Sequence, residues 1–276
     1  MRRLLPVLLI LALLCLNGIA AHSFAGSQSY EAQHRGSEEE KTWTDSDYDD
    51  AEIALQAALL ATQGDFNKQL PVLQGLADIY HERQKYNEEI STLLALIKVM
   101  YSIDDYPIIP LAAQQLRLST VYYLLDDYQS AASAGRMAVA LLKKDSLQEP
   151  TNLALACNNL GWVELKLGNF DAALKLFEES LSILSKSVGK KSLLYGLISE
   201  NLGALYTQKG EHRSAFIWYQ ASLKTLAEYL PKDDPVTIEI VRRCNRARLL
   251  SKTTNKQHTS SLKSKNKLAG ERESQK

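Results

Sequence analysis

Cysteine is scarce. Three cysteines in 276 residues, at positions 15, 157 and 244, exclude a miniature scaffold held by disulfides. Seven prolines, scattered, exclude collagen-like or proline-rich fibres. Neither charge is in excess: 32 basic and 32 acidic side chains give a formal net charge of +0. Phosphate backbones call for a basic surplus, so nucleic acid is not the expected partner. The residues of catalysis are also thinly spread. Five histidines (His22, His34, His81, His212 and His258) form no His-Glu-x-x-His or His-x-x-x-His pattern, and no Cys-x-x-Cys pair is present, so no metal site is expected. No phosphate-cradling glycine loop and no Gly-x-Ser-x-Gly elbow occurs. The chain therefore reads as a non-enzyme without a cofactor. Asp104-Asp105, Asp126-Asp127 and Asp233-Asp234 each fall between helices, where Asp serves turns and N-caps rather than acid–base chemistry.

Long apolar runs are missing too, with one exception. Met1-Arg2-Arg3 precedes an uncharged apolar stretch at 4–16, followed by small residues around Gly18 and Ala20. That core is short for a membrane span of about 20 residues and suits a secretory leader. Residues 1–21 are read as a signal peptide, with an uncleaved anchor as the alternative. Leu14 before Cys15 does not fit a lipoprotein signal. Export to a bacterial periplasm or the extracellular space is the favoured reading, with the eukaryotic secretory route as the other. None of the eleven asparagines lies in an Asn-x-Ser/Thr sequon, which leans weakly to bacterial export.

What the chain has is a period. Leu76-Ala77-Asp78-Ile79-Tyr80, Leu118-Ser119-Thr120-Val121-Tyr122, Leu160-Gly161-Trp162-Val163-Glu164 and Leu202-Gly203-Ala204-Leu205-Tyr206 lie 42 residues apart without a gap. Each is followed by Tyr86, Tyr128, Phe170 or His212, then by Glu89, Ala131, Ala173 or Ala215, then by Leu93, Gly135, Phe177 or Tyr219. Every copy reads as two amphipathic helices around a turn. In the third, Leu153, Cys157, Leu160 and Val163 recur before Gly168-Asn169, and Ala173, Leu174, Phe177 and Leu181 after it. The expected fold is all-α, a solenoid of antiparallel helix hairpins in which each hairpin buries its faces against its neighbours. Glu89 in the alanine register and Gly135 in the aromatic register make the first two copies degenerate.

Leu202-Gly203-x-x-Tyr206 followed by Ala215-x-x-x-Tyr219 resembles the tetratricopeptide repeat. The period exceeds the usual length of about 34 residues. With Asn201 before Leu202 and Asp233-Asp234-Pro235-Val236-Thr237 between repeats, it is similar to the longer kinesin-light-chain type. The resemblance covers roughly 48–250 and implies a right-handed superhelix with repeats near 69–102, 111–144, 153–186 and 195–228. It adds partial hairpins at 48–64, a second helix alone, and at 235–250, a first helix alone.

The resemblance also implies that the first helix of each hairpin lines a concave groove. The sixth position there holds Gly75, Arg117, Asn159 and Asn201. A carboxamide that donates and accepts matches a peptide amide without reading its side chain. At about 3.3 Å per extended residue, repeats about 10 Å apart would clamp a strand every third residue. The expected site is thus Arg117, Asn159 and Asn201, with Tyr123, Asn158, Trp162, Leu155, Leu197 and Glu200 giving selectivity. Gln74 and Asp78 do not match the carboxylate clamp of chaperone-binding relatives. Tyr122, Tyr123, Trp162 and Tyr206, at helical spacing, are core or groove lining rather than a cofactor box. Cys157 and Cys244 lie two repeats apart, roughly 20 Å at helix-packing distances, against the 7 Å or so a disulfide spans, so both are expected as buried thiols.

The flanks differ. Residues 22–50 hold eight acidic and two basic residues, and residues 251–276 seven basic and two acidic. Without helical periodicity, 22–47 and 251–276 are expected to be disordered. Membrane contact by the basic tail is the less favoured reading of its charge. Two functional classes remain. One is a non-catalytic interaction scaffold binding an extended peptide of a partner; the other is a homo-oligomeric structural component whose terminal half-hairpins complete one another between chains.

Overall fold

The computed structural model describes residues 43–144 and 149–253. The expected leader (1–21), most of the acidic segment and most of the basic tail lie outside the described residues. Within them the fold is all-α, as the periodicity demands. Two compact units meet at Leu167/Gly168. The first holds α1 (Asp45–Ala61), α2 (Phe66–Glu82), α3 (Tyr86–Tyr101), α4 (Ile108–Leu124), α5 (Tyr128–Lys144) and α6 (Pro150–Lys166). The second holds α7 (Phe170–Ser187), α8 (Leu193–Gln208), α9 (His212–Leu226) and a final helix, α10, over 235–253. Among the described residues no helix is long and apolar enough to cross a membrane.

Helix starts follow local chemistry. Thr44 and Asp47 form a capping box: the Thr44 hydroxyl accepts the Asp47 N–H at 3.2 Å, and the Asp47 carboxylate accepts the Thr44 N–H at 2.8 Å. Asp65 caps α2, Ser192 caps α8, and Pro150 opens α6, where its missing N–H costs nothing. The capping box starts α1 at Asp45, so the last three residues of the acidic segment belong to a helix. At the other end, helix continues to 253 and takes in the first three residues of the basic tail.

The turns inside the hairpins repeat as strictly as the helices. Gln84, Asp126, Gly168 and Gly210, each 42 residues from the next, have φ of 55°, 60°, 80° and 75°. Around three of them the backbone closes Schellman motifs. Lys85, Asp127 and Glu211 donate to the carbonyls of Tyr80, Tyr122 and Tyr206 at 2.8, 3.0 and 2.9 Å. Asp105 also has positive φ, the Asp127 carboxylate accepts the Ser130 N–H, and the Asp234 carboxylate accepts the Val236 N–H. The aspartate pairs thus serve turns and helix starts.

Packing depends on small residues opposite large ones. In the second unit a Cβ on Gly203 would stand 2.6 Å from the Tyr219 ring, and one on Gly196 2.6 Å from Leu226. These glycines allow α8 and α9 their close approach. In the first unit the degenerate Gly135 has its own logic. Leu160 of α6 and the Ser119 hydroxyl occupy the space of the missing aromatic, and that hydroxyl donates to the Ala131 carbonyl at 2.7 Å. Cys157 and Cys244 are both buried thiols rather than disulfide halves.

Candidate functional site

The sixth-position ladder begins with Arg117 on α4, and its guanidinium is turned inward. Its Nε donates to Glu89 Oε1 at 2.7 Å, one terminal nitrogen donates to Asp78, and the other to the Ala77 carbonyl at 2.7 Å. Glu89 is wholly buried, and on its far side the His81 ring nitrogen Nδ1 lies 3.0 Å from Oε2. Gln74 adds a hydrogen bond to Asp78 at 3.3 Å. The carboxylate that replaces the usual alanine is therefore held by the arginine that replaces the usual asparagine of the next repeat. Such a pair is costly to break, because removal of one partner leaves a buried charge uncompensated. Arg117 ties α2, α3 and α4 together with every arm of its fork.

Asn159, on α6, is half-buried. Its carboxamide oxygen accepts from Asn158 Nδ2 at 3.2 Å, while its own N–H groups meet no acceptor among the described residues. It thus offers two donors. Asn158 and Leu155 are buried, and Trp162 is half-buried. Tyr123 is buried on α4, edge-on to Tyr128 with centroids 5.5 Å apart, and Lys166 Nζ stands 5.8 Å from its ring centre. Burial pushes its hydroxyl well above the usual tyrosine range. The first unit therefore brings Tyr123 beside Lys166 and Asn158 beside Asn159.

In the second unit α8 is buried without interruption over Gly196–Leu205. Asn201 has 3% of its surface exposed and Glu200 only 2%. Leu197 is also buried. Glu200 accepts from Arg243 at 2.5 Å, and Arg243 also donates to Glu239 at 2.8 Å. A partner reaching Asn201 or Glu200 has first to displace what covers them. Arg243 is the residue the sequence reading passed over, although one more step of the 42-residue period from Asn201 lands on it.

Burial raises the Glu200 carboxyl above its usual range, an effect that Arg243 opposes. A carboxyl whose folded pKa is raised stabilises most below its unfolded value of about 4.3 and loses that contribution as pH rises through the folded value. Glu200→Gln is therefore expected to flatten the decline in melting temperature above about pH 4, read from melts of both proteins across that range. An unchanged slope would remove Glu200 as its source.

Among the described residues no group of three His, Cys, Asp or Glu side chains is placed to hold a metal ion. The arrangement is one of buried ion pairs, two buried carboxamides and one half-buried one, and aromatic rings.

Residues 152–228 match the tetratricopeptide repeat family. The chain is 26% identical over 187 residues to the Arabidopsis thaliana protein KINESIN LIGHT CHAIN-RELATED 3, an alignment covering 67% of this chain and 28% of that protein. The chain thus spans under a third of that relative's length. Among solved structures it is similar to BtubC (BKLC) from P. vanneervenii, with a TM-score of 0.58 and 16% identity over 75% of this chain and 91% of that one. It is also similar to nearly identical TPR-like repeats of a kinesin light chain from Podosopora anserina, with a TM-score of 0.56 and 17% identity over 68% and 89%. At such identities these likenesses concern the fold. The chain thus carries tetratricopeptide repeats over 152–228, similar to those of kinesin light chains, and the helices flanking them continue the 42-residue register in both directions.

Proposed function

We propose that the chain is an exported, non-catalytic scaffold that holds extended segments of a partner protein against the first helices of its repeats. The protein-interaction role follows from the repeat class. Export rests on the charged start and apolar run at 1–16. The observation that carries peptide binding is Asn159: a carboxamide at the clamp position, half-buried, with its N–H groups meeting no acceptor among the described residues. Such donors match the carbonyls of an extended backbone, and binding would complete them. Asn201 occupies the same register in the second unit, buried on α8.

Affinity capture from the native secreted or envelope fraction, wild type beside Asn159→Ala/Asn201→Ala with mass spectrometry as readout, tests this. A client held by the wild type is expected to bind about tenfold more weakly for each asparagine lost, the worth of roughly 1.4 kcal/mol in backbone hydrogen bonding. Helicity by circular dichroism should be unchanged. Equal recovery of the client by both proteins would remove the carboxamide clamp.

A further inference from the structure

The described helices begin and end on half-hairpins. Second helices start at Tyr86, Tyr128, Phe170 and His212, and α1 starts at Asp45, one period earlier to within a residue. First helices start at Ile108, Pro150 and Leu193, and α10 starts at 235, one period after the last. α1 is thus a second helix with no first helix among the described residues, and α10 a first helix with no second. Each leaves an apolar face open. On α10, Ile238, Val241 and Leu249 are exposed, Leu249 by 62%. α1 buries no residue at all, and Ala51 and Ala58, which share one face two turns apart, are only half-buried.

The α8/α9 hairpin shows which residues meet when such faces pair. There Gly196 lies against Leu226, and Gly203 against Tyr219. One period after Gly196 and Gly203 stand Ile238 and Asn245 on α10; four periods before Tyr219 and Leu226 stand Ala51 and Ala58 on α1. The sizes are exchanged at both contacts. α10 is too bulky for a second helix like α9, and the alanines of α1 leave room for what α10 presents.

Charge agrees with this pairing and gives it direction. α1 carries five acidic residues, Asp45, Asp47, Asp49, Asp50 and Glu52, all in its first half, and no basic one. α10 carries Arg242, Arg243, Arg246, Arg248 and Lys252 towards its end, against the single acid Glu239. In an antiparallel hairpin the end of the first helix lies beside the start of the second, so the basic end meets the acidic one. Asp50, Arg246 and Arg248 have no oppositely charged side-chain partner among the described residues, which leaves them available.

We propose that α10 of one copy docks antiparallel on α1 of a second copy, completing a hairpin between chains. The two surfaces differ, so the contact is head-to-tail and repeats, generating a ring or an open filament. Ile238 packs at Ala58, Asn245 at Ala51, and Arg246 and Arg248 face Asp45 and Asp50. The attraction between exposed charges is screened by salt.

Sedimentation velocity of the full chain over a concentration series tests this. The wild type should sediment faster as concentration rises, and salt should reduce the effect. Asp45→Lys/Asp50→Lys on α1 and Arg246→Glu/Arg248→Glu on α10 should each weaken association at least tenfold. The protein carrying all four substitutions should regain it, since the attraction is reversed in sign but not lost. Circular dichroism confirms that each variant remains helical, and Ile238→Asp, exposed in the single chain, provides a separate block. A wild type that stays monomeric throughout, the result expected if a segment of the same chain covers these faces, would overturn the proposal. So would association that survives both charge reversals, or a helical four-fold variant that stays monomeric.

Discussion

Arg117→Ala is expected to lower stability by about 3 kcal/mol, the cost of stranding one member of a buried ion pair. In a protein of this size that corresponds to a fall in melting temperature of about 6–12 °C. The cause lies with Glu89, which is wholly buried and among the described residues would retain only His81 as a side-chain partner. The second substitution distinguishes this account from simple loss of a side chain. Glu89 occupies the register of Ala131, Ala173 and Ala215, so Glu89→Ala in the Arg117→Ala background should recover most of the loss. Thermal and urea melts of the two single variants and the double variant give the coupling directly. If the double variant is as unstable as Arg117→Ala, the buried carboxylate is not the source. The same cycle bears on binding. With every arm of its guanidinium engaged, Arg117 acts first as a staple between repeats, and a binding defect on its removal means little unless stability is measured beside it.

The second large effect concerns two glycines on first helices. Replacing a helical glycine by alanine usually gains up to about 1 kcal/mol in helix propensity. At Gly203 that gain is outweighed. The new methyl would sit 2.6 Å from ring carbons of Tyr219, whose ring is almost fully buried and pinned near Thr207. Overpacking of this kind costs about 1–3 kcal/mol, so Gly203→Ala should be destabilising and Gly203→Val more so. At Gly75 the nearest obstacle is Leu55 Cδ1 at 3.2 Å, the tip of a side chain on a helix with no buried residue. Gly75→Ala should be neutral or slightly stabilising. Melts that show the same sign for both alanines would refute the distinction between a ring that cannot retreat and a side chain that can.

The repeat period carried most of the fold in the sequence, because helix, turn and contact positions recur together. Gly168 and Gly210 mark their turns by residue type, whereas Gln84 and Asp126 adopt the same left-handed conformation without announcing it. They are found only by counting 42 from the glycines. The candidate site was less legible. The spacing identified Arg117 and Asn159 as equivalent positions, yet one is bound into an ion pair and the other offers open donors. That difference depends on Glu89, a residue on another helix whose charge looked like degeneracy in one repeat and is half of a contact between two. Burial was hidden as well: Asn201 and Glu200 sit on a helix covered all round, which the pattern on that helix alone does not state.

The two kinds of turn have a consequence for how such a chain can diverge. The hairpins that turn on Gln84 and Asp126 are also those that carry Glu89 and Gly135, each made tolerable by a residue of an adjoining hairpin, Arg117 and Leu160. Their sequence changes are therefore epistatic: neither member of Glu89–Arg117 can be altered, duplicated or exchanged without its mate. The hairpin that keeps Gly203 opposite Tyr219 and turns on Gly210 holds its matching pair within a single copy. It is the module that duplication can carry intact, while the early hairpins are inheritable only as a set.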